Sequence, residues 1–116
     1  MPIIDAKDRL ILALDVPSAA EAERLLDQAG AQIRFVKVGL ELYTVAGPDM
    51  VRRLLARDLR VFLDLKFLDI EETVRRATAR VADMGATFLT VHANRKALMA
   101  AVQGRSGSNL GLLAVT

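Results

Sequence analysis

The sequence contains no cysteine and only one histidine among its 116 residues. Without cysteine it can form neither a disulfide bond nor a thiolate metal site, and it has no cysteine nucleophile. No apolar run approaches the roughly 20 residues of a membrane-spanning helix, and the N-terminal segment has no signal-peptide pattern. We therefore expect a cytoplasmic protein that does not bind a membrane.

Runs of one charge are absent as well. The 16 basic residues and the 14 acidic residues are interspersed, and the formal net charge is only +2. This pattern lacks the basic patch that is typical of nucleic-acid-binding proteins. Hydrophobic residues make up 53% of the sequence, which is enough to build a core, and no linker divides it. Residues 1–116 are therefore predicted to form one domain.

Five short apolar segments alternate with amphipathic stretches along the chain. They are nearly continuous in apolar residues and recur about every 25 residues, as parallel strands do when helical crossovers connect them. The predicted strands are Leu10–Asp15, Phe35–Gly39, Val61–Lys66, Phe88–His92 and Leu112–Val115. The fold class is therefore α/β, either a doubly wound open sheet or part of a (β/α)8 barrel.

Helix signals fill the intervals between these strands. Ser18 and Glu21 form a capping box that begins the first helix, and Gly30 ends it. Pro48 lies near the start of the second helix. The last two helices are predicted from about Glu71 to Met84 and from about Arg95 to Val102.

Ionisable residues lie at or near the carboxyl ends of four predicted strands. Asp15 closes the first, Lys37 lies within the second, Asp64 and Lys66 close the third, and His92 closes the fourth. Each alone also has a structural interpretation, as a turn former, a snorkelling side chain, an ion pair or a rim histidine. As a group they favour the barrel, whose active site is built from the carboxyl ends of several strands. No glycine-rich phosphate turn follows the first strand, which argues against the doubly wound sheet.

Asp64 and Lys66 are two residues apart in a strand, so their side chains are predicted to share one face. Lys37, on the neighbouring strand, is placed to interleave with carboxylates in an alternating array. Carboxylates beside a lysine favour its ammonium form. An ammonium group suits a general acid that delivers a proton to a carbanion, and it does not suit Schiff-base chemistry.

The segment Asp64-Leu65-Lys66-Phe67-Leu68-Asp69 carries an Asp-x-Lys-x-x-Asp pattern and resembles the motif of the orotidine 5'-monophosphate decarboxylase superfamily. Other segments resemble the strands of this family in the same order, and together they span nearly the whole chain: Leu12-Ala13-Leu14-Asp15, Val36-Lys37-Val38-Gly39, Thr90-Val91-His92-Ala93 and Leu112–Thr116. The resemblance implies the first half of a (β/α)8 TIM barrel, with strands one to five.

The resemblance also implies catalytic roles for the three ionisable residues of the motif. Lys66 is expected to donate a proton to C6 of the pyrimidine, with Asp64 next to the substrate carboxylate. Asp69 is expected to reach the site of the partner subunit in a homodimer. The implied reaction converts orotidine 5'-monophosphate to UMP, a step of pyrimidine biosynthesis, without a metal ion or an organic cofactor.

Three further residues are expected, by the same resemblance, to bind the substrate. Asp15 and Lys37 match residues that hold the ribose hydroxyls. Thr73 matches a threonine that reaches across the dimer. Leu68 departs from the family pattern, since many members carry histidine there, and this bears on the geometry of the loop more than on the chemistry.

Two alternatives stay open at this point. The first is a sugar-phosphate decarboxylase or synthase of the same superfamily, which would need Mg²⁺ and a carboxylate near the end of the second strand. Glu41 is a candidate for that carboxylate, although the match at Lys37 argues against this alternative. The second is a non-catalytic half-barrel. We find no phosphate-binding segment in the sequence, so the chain alone is expected to be inactive. A half-barrel leaves strands one and five as open edges, so the chain is also expected to self-associate.

Overall fold

The computed structural model describes residues 3–116. It contains a five-stranded sheet whose strands are ordered as in the chain. The strands are β1 (Leu12–Ala13), β2 (Phe35–Gly39), β3 (Arg60–Phe67), β4 (Phe88–His92) and β5 (Gly111–Val115). The helices that connect them are α1 (Ala19–Ala29), α2 (Leu40–Ala56), α3 (Glu71–Met84) and α4 (Arg95–Gly104). The predicted α/β class, with parallel strands and helical crossovers, is confirmed.

The chain divides into two compact units, of which the first ends at Phe62. In this unit β1 and β2 pair in parallel, with Leu12 opposite Val36 and Ala13 opposite Lys37. β2 packs against α2, and α2 packs against α1. The largest fully buried side chains of this unit form its core: Leu14, Val36, Val38, Leu42, Met50, Val51, Leu54 and Val61.

The second unit runs from Leu63 to Thr116. β4 and β5 pair in parallel along their whole length, from Phe88 opposite Gly111 to His92 opposite Val115. α3 and α4 pack closely on each other, and α4 also packs on β4. The core residues of this unit are apolar and almost fully buried: Leu63, Val74, Val81, Leu89, Val91, Ala97, Ala101 and Leu110.

Side-chain caps fix the beginnings of two helices. Ser18 accepts a hydrogen bond from the amide of Glu21 at 3.2 Å, as the predicted start of α1 requires. Asn94 accepts one in the same way from the amide of Ala97 at 3.1 Å, at the start of α4. Gly30 follows the last residue of α1, so the predicted end of that helix is also confirmed.

The prediction for the second helix was wrong at its start. Helix α2 begins at Leu40, and Gly47 (φ 65°, ψ −162°) interrupts it just before Pro48. Proline has no amide hydrogen to donate and tolerates the first turn of a helix, so a new helical segment begins there. The earlier segment, which the sequence analysis missed, is anchored by Leu42, whose side chain is buried.

Other boundaries also differ from the prediction. Strand β3 (Arg60–Phe67) is one residue longer at each end, and β5 begins one residue earlier, at Gly111. Strand β1 is confined to Leu12–Ala13, because the preceding Leu10 and Ile11 are exposed and make no ladder in this sheet. The amide of Leu14 still donates to the carbonyl of Lys37 at 2.9 Å, so the chain continues alongside β2. Helix α4 extends two residues beyond the predicted end, to Gly104. In residues 3–116 no helix is both long enough and apolar enough to cross a membrane.

Candidate active site

Strand β3 separates apolar from charged side chains by simple alternation. Val61, Leu63 and Leu65 are buried on one face. Asp64 and Lys66 alternate with them and point to the opposite face, as the spacing of two predicts. Strand β3 thus turns one face to the core and presents charged groups on the other.

Asp64 and Lys66 form an ion pair on this face. The Lys66 Nζ atom lies 3.0 Å from Asp64 Oδ1 and donates a hydrogen bond to it. The side chain of Asp64 is 15% exposed and that of Lys66 is 50% exposed. An ammonium group has three hydrogens, so Lys66 keeps donors for a bound molecule or for water while it pairs with Asp64.

Thr90 of β4 completes this group. Its hydroxyl oxygen accepts a hydrogen bond from the backbone amide of Lys66 at 3.0 Å and donates one to Asp64 Oδ1 at 2.8 Å. Sequence reasoning matched Thr90 to a family strand but gave it no role. A signal was available, because Thr90 and His92 are two residues apart in an otherwise apolar strand and so share one face.

The backbone of Lys66 adopts a left-handed conformation, with φ 50°. For a residue with a side chain this conformation costs about 1–2 kcal/mol. Non-glycine residues with positive φ deserve inspection for a functional cause. Here the strained residue is also the one that carries the ammonium group.

The first unit holds Asp15 and Lys37. Asp15 follows β1 and is exposed, and its Oδ1 atom packs against Gly39, 3.3 Å from where a Cβ at that position would lie. Lys37 is half-buried in β2 and lies opposite Ala13. Because residues 13 and 15 alternate with the buried Leu14, Asp15 and Lys37 share the face of the β1–β2 pair that is turned away from the core.

The remaining predicted residues of the second unit lie in a loop, at the start of a helix and at the end of a strand. Asp69 is exposed in the loop after β3 and accepts a hydrogen bond from the amide of Ile70 at 2.7 Å. Thr73 is exposed in the first turn of α3. His92 is half-buried at the end of β4. Within the second unit, the structure therefore brings together two of the predicted residues, Asp64 and Lys66.

Glu41, the candidate carboxylate for a metal-dependent alternative, lies exposed in the first turn of α2. Residues 3–116 contain no cluster of three or more histidine, cysteine, aspartate or glutamate side chains placed to hold a metal ion.

Comparisons with known proteins agree on one family. The sequence profile of the orotidine 5'-phosphate decarboxylase / HUMPS family matches residues 8–116. An orotidine 5'-phosphate decarboxylase from Bradyrhizobium sp. strain BTAi1 is 48% identical over 113 residues, which cover 97% of this chain and 46% of that protein.

Solved structures share the fold as well. The crystal structure of orotidine 5'-phosphate decarboxylase from Lactobacillus acidophilus matches with a TM-score of 0.82 and 36% identity, over 92% of this chain and 52% of that one. An uncharacterized conserved protein from Geobacillus kaustophilus matches with a TM-score of 0.83 and 42% identity, over 91% and 53% of the two chains. The decarboxylase from Pyrococcus horikoshii OT3 matches with a TM-score of 0.74 and 30% identity, over 90% and 49%.

These matches confirm the predicted fold class, the first half of a (β/α)8 barrel. The chain spans about half the length of the relatives that it matches.

Proposed function

The chain belongs to the orotidine 5'-phosphate decarboxylase / HUMPS family, and from this premise we propose that it supplies the proton-donating site of an enzyme that converts orotidine 5'-monophosphate to UMP and CO₂. The observation that carries the proposal is the pair of Lys66 Nζ and Asp64 Oδ1 at 3.0 Å on the face of β3 that is turned away from the core. The name of the relative from Bradyrhizobium supplies the substrate.

The proposed chemistry needs a proton donor beside a site of developing negative charge. When the bond between C6 and the carboxylate breaks, its electron pair stays on C6 and CO₂ departs. Lys66 transfers a proton from Nζ to C6, which completes the C6–H bond of UMP. Its half-exposed side chain then regains a proton from solvent. A positioned general acid of this kind contributes roughly 10²–10⁴-fold to a rate.

Asp64 has two proposed tasks in this reaction. Its carboxylate holds the Lys66 ammonium group in place through the 3.0 Å hydrogen bond. It also lies next to the carboxylate of the bound substrate, where the repulsion between two negative charges is relieved as neutral CO₂ leaves. Both tasks require the ionised form of Asp64, which is also the form that accepts hydrogen bonds from both neighbours.

The other assigned residues are proposed to bind the substrate or to complete a partner's site. Asp15 and Lys37 hold the ribose hydroxyls. Asp69 and Thr73 reach the site of the partner subunit in a homodimer, in keeping with their exposure. We further propose that the enzyme acts in the cytoplasm, as part of pyrimidine biosynthesis, without a metal ion or an organic cofactor, and that residues 1–116 form one half-barrel domain.

The test uses a family-length fusion, defined as this 116-residue chain continued by the part of the Bradyrhizobium relative that it does not cover. The parent fusion is expected to form UMP from orotidine 5'-monophosphate. Lys66→Ala in the fusion is expected to lower kcat by at least about 10²-fold, because the general acid is lost, while substrate binding is partly retained. The readouts are UMP formation and calorimetric binding of the product UMP.

Lys96 provides the matched control, because it is an exposed lysine on α4. Lys96→Ala is expected to turn over like the parent. Near-normal turnover by Lys66→Ala contradicts the proposed role of Lys66. A parent fusion that instead acts on a sugar phosphate with Mg²⁺ contradicts the proposed substrate.

A further inference from the structure

We propose that Thr90 is a positioning residue that sets the geometry of Lys66 relative to Asp64, an inference that rests on the proposed function. One buried hydroxyl contacts both members of the pair: it accepts from the backbone of Lys66 and donates to the side chain of Asp64. Thr90 itself need not touch the substrate to act in this way.

Thr90 is buried, so its hydroxyl depends on hydrogen-bond partners within the protein. The residue is 7% exposed and lies between Leu89 and Val91, which are both fully buried. Leu113 of β5 lies opposite Thr90 in the register. A buried hydroxyl normally finds a partner, and here both of its partners belong to the same ion pair.

The direction of each hydrogen bond follows from the donors that are available. The Lys66 amide can only donate, so the Thr90 oxygen accepts from it at 3.0 Å. The single hydroxyl hydrogen is then directed to Asp64 Oδ1 at 2.8 Å. The same Oδ1 atom receives the Lys66 ammonium group at 3.0 Å. The carboxylate is therefore held by two donors on one oxygen.

The backbone of Lys66 is left-handed, with φ 50°, although the residue belongs to β3. The Thr90 hydroxyl supplies the acceptor that this amide uses. Thr90 thus holds both the backbone of Lys66 and the Asp64 carboxylate that accepts a hydrogen bond from the Lys66 ammonium group.

Loss of the hydroxyl is expected to affect rate more than binding. A displacement of about 1 Å in a reacting group can lower a rate by about 10²-fold. Thr90→Val keeps the shape of the side chain and removes both hydrogen bonds, whereas Thr90→Ser keeps the hydroxyl. In the family-length fusion, Thr90→Val is expected to lower kcat by about 10- to 100-fold with little change in KM. Thr90→Ser is expected to restore most of kcat.

Thr78 offers a matched control for this substitution. It is also a fully buried threonine, and in residues 3–116 its hydroxyl oxygen has no hydrogen-bond partner. Thr78→Val therefore removes a buried hydroxyl that makes no hydrogen bond in residues 3–116, and it is expected to leave kcat unchanged. Should Thr90→Val fail to fold, Thr90→Cys replaces the hydroxyl by a poor hydrogen-bonding group of similar size.

A second readout does not depend on activity. Hydrogen exchange of the Lys66 amide, measured by NMR in the family-length fusion, is expected to be faster in Thr90→Val than in the parent and close to parental in Thr90→Ser. If Thr90→Val exchanges and turns over like the parent, or if Thr90→Ser fails to restore kcat, the proposal is overturned. If the parent fusion forms no UMP, the proposed function fails, while the exchange comparison still decides whether Thr90 holds the Lys66 backbone.

Discussion

For Lys66, the free energy that its backbone conformation costs can be compared with the free energy that its ion pair contributes. Its left-handed backbone costs about 1–2 kcal/mol. An ion pair whose lysine is half exposed returns only about 0–1 kcal/mol. The pair by itself therefore offsets little of this cost, and the hydrogen bond that the Thr90 hydroxyl accepts from the Lys66 amide also helps to hold the conformation. The conformation fixes the position of the ammonium group, which the proposed proton donation requires.

Substitution of Lys66 by arginine tests whether the residue acts through its positive charge alone or through the donation of a proton. Lys66→Arg preserves the positive charge beside Asp64, so the thermal stability of the fusion is expected to change little. The guanidinium group does not give up its proton in proteins, so kcat is expected to fall by at least about 10²-fold. Thermal melting and UMP formation measure the two effects, with Lys96→Arg as the control. Parental turnover by Lys66→Arg would show that charge alone suffices at this position.

Among the elements of the second unit, α3 packs tightly on α4. Gly104, the last residue of α4, allows this approach, since a Cβ there would lie 2.3 Å from the carbonyl oxygen of Arg75 and 3.0 Å from the Cβ of Thr78. The contact is with the backbone of α3, which cannot move aside as a flexible side chain does. This packing keeps α4, and hence β4 with Thr90, in its place within the unit.

Gly104→Ala is expected to destabilise the protein. Alanine is the better helix former by about 0.5–1 kcal/mol, but the overpacking against the Arg75 carbonyl costs about 1–3 kcal/mol, so the clash prevails. Urea denaturation should show a lower free energy of unfolding. Gln103→Ala, at the exposed neighbouring position, should change it by less than about 0.5 kcal/mol. Equal stability of the two variants would mean that the helices separate without cost.

At the scale of the whole molecule, the chain contains five strands and spans about half the length of its relatives. Barrel active sites are assembled from loops after all eight strands. The strands β1 and β5 end the described sheet, and Leu113 of β5 is 39% exposed. Strand edges with unpaired backbone groups invite association.

The 116-residue chain, expressed by itself, is therefore expected to self-associate and to form no UMP. Binding energy from parts of a substrate remote from the reacting atoms contributes to the rate, and the chain offers the loops of only part of a barrel. Light scattering measures the association, and a UMP assay beside the family-length fusion measures the activity. A monomer that turns over orotidine 5'-monophosphate would contradict both expectations.

Local patterns in the sequence predicted much of the fold. The ranges of β2, β4 and α3 follow from apolar runs, caps and glycine stops, which act on neighbouring residues. The early start of α2 was missed because Gly39 leads directly into Leu40 without a side-chain cap. The length of β1 was overestimated because Leu10 and Ile11 are apolar in sequence but lie outside the ladder.

Alternation along a strand puts Asp64 and Lys66 on the same face wherever the strand lies, so this part of the site follows from local sequence. The groups that contact this face come from distant parts of the chain and depend on the fold. Thr90 is 24 residues from Lys66 along the chain, and no local sequence pattern predicts that its hydroxyl accepts a hydrogen bond from the Lys66 amide. The left-handed backbone of Lys66 is likewise a product of tertiary contacts, since local sterics disfavour it and the surrounding packing has to maintain it.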